Sequence, residues 1–153
     1  MKIINGSNQT FFKKDGPNMN SRFTYMAMMR AALCYLLPHH DKVLSLDIDT
    51  IVVQDISDLW DIDLGDNYFV ACVEPDRCWG GKWHKETDPR MYYNVGVTMF
   101  NLKKMREDKA EEIIQDLNVS KYDFIEQDCM NKLCQGGILN LSNDFNCMKY
   151  SGY

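Results

Sequence analysis

The chain has 153 residues and a formal net charge of −5, with ordinary apolar and charged contents of 45% and 25%. Its length suits one domain with a hydrophobic core, and its acidic balance argues against nucleic acid or an anionic membrane as the main partner. We expect no transmembrane segment and no signal peptide, because no apolar run could span a bilayer and residues 1–8 turn polar early. The six cysteines lack Cys-x-x-Cys spacing, so we interpret them as reduced thiols of a cytoplasmic protein.

The first half of the chain is expected to contain one long helix and one clear strand. Apolar residues at helical spacing predict a helix that begins at Ser21, its candidate N-cap, and ends at Pro38. Lys42–Leu46 is predicted to be a strand. Residues 50–53 are predicted to continue in an extended conformation, and residues 56–60 to form a short helical turn.

The second half alternates strand and helix patterns. We expect strands at residues 68–73, 95–102 and 138–141, and helices at residues 103–117 and 123–133. Residues 75–90 hold two prolines, two adjacent glycines and two tryptophans, which favour a surface loop. The alternation predicts an α/β fold with a mostly parallel sheet, in a single domain over residues 1–153.

Two carboxylates, Asp47 and Asp49, lie between two apolar, β-prone runs. Burying ionised carboxylates is costly unless a cation pairs with them. We therefore expect the strand to end at Asp47, with the pair at the carboxyl edge of the sheet, where hard oxygen ligands can hold a divalent cation. Two alternatives stay open: an ordinary turn or N-cap role for each aspartate, and a phosphatase of the haloacid-dehalogenase type, whose Asp-x-Asp-x-Thr pattern fails here at Ile51.

Three further sites carry polar groups that suit ligand binding. Arg30 lies in the first predicted helix, and two roles stay open for it. It is either a snorkelling side chain at the edge of the core or an anion clamp, since a guanidinium suits phosphate oxygens. Asn94 precedes Gly96, and glycine allows a ligand to approach the backbone closely. Residues 126–128, Glu-Gln-Asp, stand near the start of the last predicted helix, where the helix dipole by itself also favours acids.

In this order the motifs resemble glycosyltransferase family 8, which includes bacterial lipopolysaccharide galactosyl- and glucosyltransferases and glycogenin. The resemblance covers roughly residues 22–148. It rests on a helix with an arginine, Pro-x-x-Asp-Lys-Val-Leu-x-Leu-Asp-x-Asp-x-x-Val at 38–52, Asp-Leu-Trp at 58–60, Tyr-Asn-Val-Gly-Val at 93–97, Phe-Asn-Leu at 100–102, Gln-Asp at 127–128 and Asp-Phe-Asn at 144–146. It implies the A-type glycosyltransferase fold, a Rossmann-like sandwich for nucleotide-diphospho-sugars.

The resemblance implies roles for the polar residues that bind the donor. Asp47 and Asp49 match the family's Asp-x-Asp motif, which binds Mn²⁺ (or Mg²⁺) and, through it, the diphosphate of a nucleotide sugar. Arg30 matches an arginine that contacts the donor's diphosphate and sugar, and Asn94 matches an asparagine that contacts the sugar. Asp128 is assigned to substrate binding with them.

The resemblance also implies the catalytic residues and the reaction. Glu126 stands where the family has an acid that grips sugar hydroxyls, and Gln127 matches the residue on the sugar's β face, a nucleophile or a stabiliser of the oxocarbenium-like centre. The expected activity is metal-dependent transfer of a hexose from UDP-glucose or UDP-galactose, with retention, to a glycan or lipid-linked glycan in lipopolysaccharide or capsule biosynthesis.

The chain also departs from the family pattern. Residues 1–20 do not resemble the unit that holds uracil and ribose, and no His-x-x-Gly-x-x-Lys-Pro-Trp motif, the source of a third metal ligand, follows Asp-Phe-Asn. We therefore expect the central part of the domain, truncated at both ends. The alternative function is a catalytically weak or inert remnant that binds metal or another protein.

Overall fold

The computed structural model describes residues 9–23, 25–74 and 92–147, in which helices pack on a four-stranded sheet. The strands are β1 (Lys42–Leu46), β2 (Phe69–Val73), β3 (Tyr93–Asn101) and β4 (Ile138–Asn140). The α-helices are α1 (Leu33–Leu36), α2 (Ser57–Trp60), α3 (Leu102–Asp108), α4 (Ala110–Leu117) and α5 (Ile125–Leu133), and 3₁₀ helices cover Ala27–Ala32 and Asn143–Phe145. The predicted α/β class is confirmed. The loop expected at 75–90 lies outside the described residues.

The sheet is mixed, with strand order β1-β3-β2-β4. β3 runs antiparallel to both β1 and β2, and only β2 and β4 are parallel. This corrects the expectation of a mostly parallel sheet. Apolar periodicity indicates which segments form strands and carries no information about their direction. β2 and β3 are consecutive neighbours, and an antiparallel pair does not need the crossover that a parallel pair requires.

The helix before β1 is shorter than its apolar pattern predicts. Ser21 does not cap it, because its hydroxyl accepts from the Phe23 N–H at 3.1 Å and donates to the Phe23 carbonyl at 2.7 Å in a local turn. Regular helical structure begins only at Ala27–Ala32 as a 3₁₀ helix and ends with α1, just before Pro38. The C-terminal limit set by proline was therefore predicted correctly, and the N-terminal one was not.

Two other expectations change in detail. The segment at 50–53 forms no strand, and Ile51 and Val53 are more than four-fifths exposed, at 82% and 86%. The helix expected at 103–117 is divided into α3 and α4 at Lys109, whose φ of −125° departs from helical geometry. Hydrogen bonds from the Lys109 N–H to the Met105 carbonyl and from the Ile113 N–H to the Lys109 carbonyl keep the two helices nearly continuous.

The core lies on both faces of the sheet. Phe69 and Ala71 of β2 belong to the larger hydrophobic cluster, which includes the buried apolar residues of α3, α4 and α5. Val70 and Cys72 belong to a smaller cluster that contains Leu59. This alternation follows from the two-residue period of a strand. The sequence of β2 is a continuous apolar run, as expected for a strand that is buried on both faces. Among the helices that the structure describes, none combines the length and apolar content needed to cross a bilayer.

Candidate active site

The acidic turn lies at the carboxyl end of β1. Asp47 extends the pairing with β3 by one step, because its N–H donates to the Gly96 carbonyl at 2.7 Å. The chain then turns, with the Thr50 N–H donating to the Asp47 carbonyl at 3.0 Å and Ile48 fully exposed. Asp47 and Asp49 both line a cavity of about 700 Å³. The prediction that the strand ends at the acidic pair is confirmed.

Gly96 is needed because two side chains of the protein approach it closely. A Cβ atom at this position would lie 2.8 Å from Asp47 Oδ2 and 2.9 Å from Asn94 Oδ1. A larger residue would therefore displace the carboxylate or the amide. The sequence interpretation was that glycine admits a ligand to the backbone. In the structure it admits the Asp47 carboxylate and the Asn94 amide.

Arg30 connects the end of β1 to the first turn of α5. Its guanidinium donates to Ser45 Oγ at 3.2 Å, to Glu126 Oε1 at 3.3 Å and to a carboxylate oxygen of Asp47. The side chain is only 14% exposed and lines a second cavity of about 380 Å³. The charged group thus lies among carboxylates rather than in water, which disfavours a snorkelling role. Its place in a cavity wall is the one that an anion clamp requires.

Glu126 is a buried acid in the wall of the smaller cavity. Burial raises its pKa from 4.5 to about 7, although the Arg30 guanidinium acts to lower it. The neighbouring carboxylates of Asp47 and Asp128 act in the same direction as burial. A carboxyl group with a pKa near 7 can take up or release a proton at neutral pH.

Gln127 lies in the wall of the smaller cavity, next to an irregularity in the pairing of β2 and β3. Ala71 pairs with Thr98, but the next residue of β2 pairs with Asn94, so residues 95–97 are skipped by β2. The Val95 N–H donates to Gln127 Oε1 at 3.0 Å, and Gln127 Nε2 donates to the Tyr92 hydroxyl at 3.1 Å. β-Bulges are common next to active sites, where they redirect side chains.

Asp128 does not line either of these cavities. It is 1% exposed, and Oδ1 accepts the Tyr92 hydroxyl at 2.5 Å. Oδ2 accepts the N–H groups of Asp123 and Phe124 at 3.2 and 2.9 Å, directly before α5. Burial raises the pKa of Asp128, and these hydrogen bonds oppose that shift. Its contacts anchor the start of α5, and direct contact with a substrate stays a prediction.

Asn94 lines both cavities and is held from three directions. Its Nδ2 donates to Glu74 Oε2 at 2.9 Å, and its Oδ1 accepts the Gly96 N–H at 2.8 Å and Asn146 Nδ2 at 3.1 Å. These contacts fix the orientation of the amide. Asn94, Arg30 and the acidic turn, which are distant in sequence, thus meet at adjoining cavities.

Three residues of this region were given no role by the sequence interpretation: Glu74, Tyr92 and Asn146. Glu74 directly follows β2, as Asp47 follows β1, so the same pattern of an acid after a buried strand could have identified it. Tyr92 carried no such signal, because its partners Gln127 and Asp128 lie on a distant helix.

The two carboxylates of the acidic turn are hard oxygen donors in one cavity wall. Within residues 9–23, 25–74 and 92–147, no group of three or more His, Cys, Asp or Glu side chains is arranged to hold a metal. A divalent cation such as Mg²⁺ is commonly held by one or two carboxylates together with water and substrate phosphates. Asp47 and Asp49 fit a cation bound in this way.

Several known proteins that resemble the chain are named as glycosyltransferases. A sequence model described as Glycosyl transferase family 8 matches residues 1–153. A putative glycosyltransferase of Haemophilus influenzae is 27% identical over 148 residues, covering 88% of this chain and 43% of that protein. A lipopolysaccharide 1,2-glucosyltransferase of Escherichia coli is 34% identical over 114 residues, covering 69% of this chain and 33% of that protein. The chain thus spans less than half the length of these relatives.

The fold also matches a solved structure. The galactosyltransferase LgtC, in complex with donor and acceptor sugar analogues, superposes with a TM-score of 0.67 at 30% identity, over 81% of this chain and 47% of that one. The A-type glycosyltransferase fold implied by the sequence resemblance is confirmed. From its motifs, its fold and the match over residues 1–153, the chain belongs to glycosyltransferase family 8.

Proposed function

We propose that this domain transfers a hexose from UDP-glucose or UDP-galactose to a glycan acceptor, with retention of the anomeric configuration. The observation that carries the proposal is the convergence of Arg30, the acidic turn and Asn94 on two adjoining cavities at the carboxyl end of β1. A nucleotide sugar has two parts of different chemistry, an anionic diphosphate and a neutral, hydroxyl-rich ring. The two cavities offer one environment for each.

The larger cavity suits the diphosphate. Asp47 and Asp49 would hold Mn²⁺ or Mg²⁺ there, and the ion supplies a Lewis acid that offsets the charge of the departing UDP. Arg30 lines the smaller cavity and contacts Asp47, which lines both cavities, so we assign its guanidinium to the point where the sugar joins the diphosphate. Charge-assisted bonds of this kind orient the donor as well as bind it.

The smaller cavity suits the transferred sugar. Asn94 and Glu126 would bind its hydroxyls, and Gln127 would present its amide to the anomeric centre. In the reaction the bond between the anomeric carbon and the diphosphate oxygen breaks, and a bond to the acceptor hydroxyl oxygen forms. The hydroxyl proton passes to a base, for which Glu126, with its pKa raised to about 7, is suited.

Asp128 is proposed as a positioning residue for this site. Its carboxylate holds the Tyr92 hydroxyl, which in turn accepts from Gln127 Nε2. The buried chain Asp128–Tyr92–Gln127 fixes the amide that we assign to the anomeric centre. Direct contact between Asp128 and the substrate stays a prediction beside this role.

We further propose a cytoplasmic location and an acceptor related to lipopolysaccharide or capsule glycans of bacteria. The location is supported by the buried, unpaired thiols of Cys34, Cys72, Cys129 and Cys134, which suit a reducing compartment. The acceptor class is supported by the name of the Escherichia coli relative.

The second candidate function is a weakly active or inert module that binds metal or another protein. It is favoured by the absence, among the described residues, of any group of three or more His, Cys, Asp or Glu side chains arranged to hold a metal. The phosphatase alternative has no such support, because the family match extends over residues 1–153.

Release of UDP from each UDP-sugar, measured with added Mn²⁺, tests the proposed activity. We expect turnover in the wild type and its loss, by about a hundredfold or more, in Asp47→Asn and Asp49→Asn, because removal of an electrostatic contact to the developing charge typically costs that much. Asp66→Asn, a change of an exposed aspartate outside both cavities, is the matched control. Absence of turnover with either sugar would favour the binding module.

A further inference from the structure

Two phenylalanines form part of the wall of the smaller cavity, beside the residues proposed to hold the sugar. The ring centroids of Phe23 and Phe124 lie 6.1 Å apart at an interplanar angle of 41°. The Arg22 guanidinium carbon lies 4.8 Å from each centroid. We refer to these three residues as the aromatic clamp.

The two phenylalanines of the clamp are more exposed than aromatic side chains usually are. Phe23 is 37% exposed, and Phe124 is half-buried, although both line a cavity whose other walls include Asn94 and Gln127. A cavity that combines aromatic rings with a few convergent polar groups is typical of a small-molecule site. A pyranose ring matches it, since its C–H face is apolar and its edge is polar.

Arg22 differs from Arg30 in what its charge contacts. Arg30 is neutralised by Asp47 and Glu126. Arg22 is exposed and, within the described ranges, forms no ion pair; its contacts are with the two ring faces. A cation–π contact holds a guanidinium in place without using its N–H donors. Those donors therefore remain available to an anion outside the protein.

The charges of this region are also arranged asymmetrically. Among the residues that the structure describes, the smaller cavity is lined by the carboxyl groups of Asp47, Glu74 and Glu126 and by the guanidinium of Arg30. Arg30 already contacts Asp47 and Glu126, so the exposed guanidinium of Arg22 is the better placed of the two to pair with an anionic substituent of a ligand. The anionic group of such a ligand would thus lie on the clamp, away from the hydroxyl that enters the cavity.

We propose that the aromatic clamp binds the acceptor, and that this acceptor is a glycan with an anionic substituent, a phosphate or a carboxylate. One sugar ring of the acceptor lies on Phe23 and Phe124, and the anion pairs with Arg22. This inference rests on the proposed transferase activity and names its acceptor class.

Transfer to three matched probes tests the proposal: methyl glucoside, glucose 6-phosphate and glucuronic acid. For the wild type we expect a KM about tenfold lower for an anionic probe than for the neutral one, the size of a hydrogen bond to a charged group. In Arg22→Gln the KM values should become equal, and in Arg22→Lys the preference should be partly kept. The phosphate and the carboxylate probes distinguish the two sources of charge. Lys14→Gln, a change of another exposed cation, is the control.

Two further measurements separate the clamp from the donor site. Phe124→Leu should raise KM severalfold for all three probes alike, because the ring contact does not depend on charge. Hydrolysis of the UDP-sugar without acceptor, measured in the wild type and in Lys14→Gln, reports on the donor site alone and should be equal in the two proteins. Equal wild-type KM values for neutral and anionic probes, or a preference that survives Arg22→Gln, would overturn the proposal. Absence of donor hydrolysis in the wild type would instead overturn the proposed function and this inference with it.

Discussion

A single guanidinium organises the charges of the site at the scale of residues. Arg30 holds Asp47 and Glu126 together, although the two lie on different elements and would repel each other without it. The Arg30 and Glu126 side chains are 14% and 12% exposed, so removal of Glu126 would leave the Arg30 charge less well compensated in a mostly buried place. Glu126 nevertheless has a raised pKa, which means that burial outweighs the attraction of Arg30.

This raised pKa predicts a pH dependence of stability. The folded protein holds a proton on Glu126 up to about pH 7, whereas the unfolded chain releases it near 4.5. Between these values the folded state binds more protons, so the free energy of unfolding should fall as the pH rises. We expect urea denaturation to show this fall for the wild type and a flatter profile for Glu126→Gln. Glu107→Gln, an exposed control, should follow the wild type; identical profiles for all three proteins would contradict the assignment.

At the scale of elements, α5 carries the proposed catalytic groups and must be held in register with β3. Asn131 makes this connection on one turn, since it accepts the Tyr93 N–H at 2.7 Å and donates to the Tyr93 carbonyl at 2.8 Å. One turn earlier, Asp128 connects the helix to Tyr92, the residue before β3, by accepting its hydroxyl. The same carboxylate also accepts the two N–H groups that precede the helix. The helix therefore meets the strand through side chains that replace missing sheet partners.

We predict that Asp128→Ala destabilises the protein by about 2–3 kcal/mol, because it leaves buried donors unsatisfied. The same change should lower the rate of UDP release through misplacement of Gln127. In a Tyr92→Phe background the cost of Asp128→Ala should be smaller, since one of those donors is then absent. Equal costs in both backgrounds, measured by urea denaturation, would show that Tyr92 and Asp128 are not coupled.

At the scale of the whole molecule, metal binding should be visible as a change in stability. A ligand that binds only the folded state raises the melting temperature, and at a fixed ligand concentration the rise is larger when binding is tighter. We expect Mn²⁺ to raise the melting temperature of the wild type more than that of Asp49→Asn, with Asp66→Asn behaving as the wild type. Equal shifts in all three proteins, measured by thermal denaturation at a fixed Mn²⁺ concentration, would argue against a metal at the acidic turn.

The sequence by itself determined the local features. They are the apolar runs that become β1 and β2, the helix stop at Pro38 and the strand end at Asp47. All of them follow from short-range chemistry, which depends on residues close together in the sequence. The order of its motifs also determined the family. Each of the local features depends on neighbours a few positions away.

Only the tertiary structure decided which distant groups meet. The antiparallel direction of β3, the approach of Asp47 to Gly96 and the contact of Arg30 with Glu126 join residues many positions apart. Strand direction and side-chain contact depend on how the sheet assembles, and periodicity does not encode that. Asp47, the first of the two carboxylates that sequence chemistry assigned to a cation, is thus paired in the folded protein with an arginine that the fold brings to it.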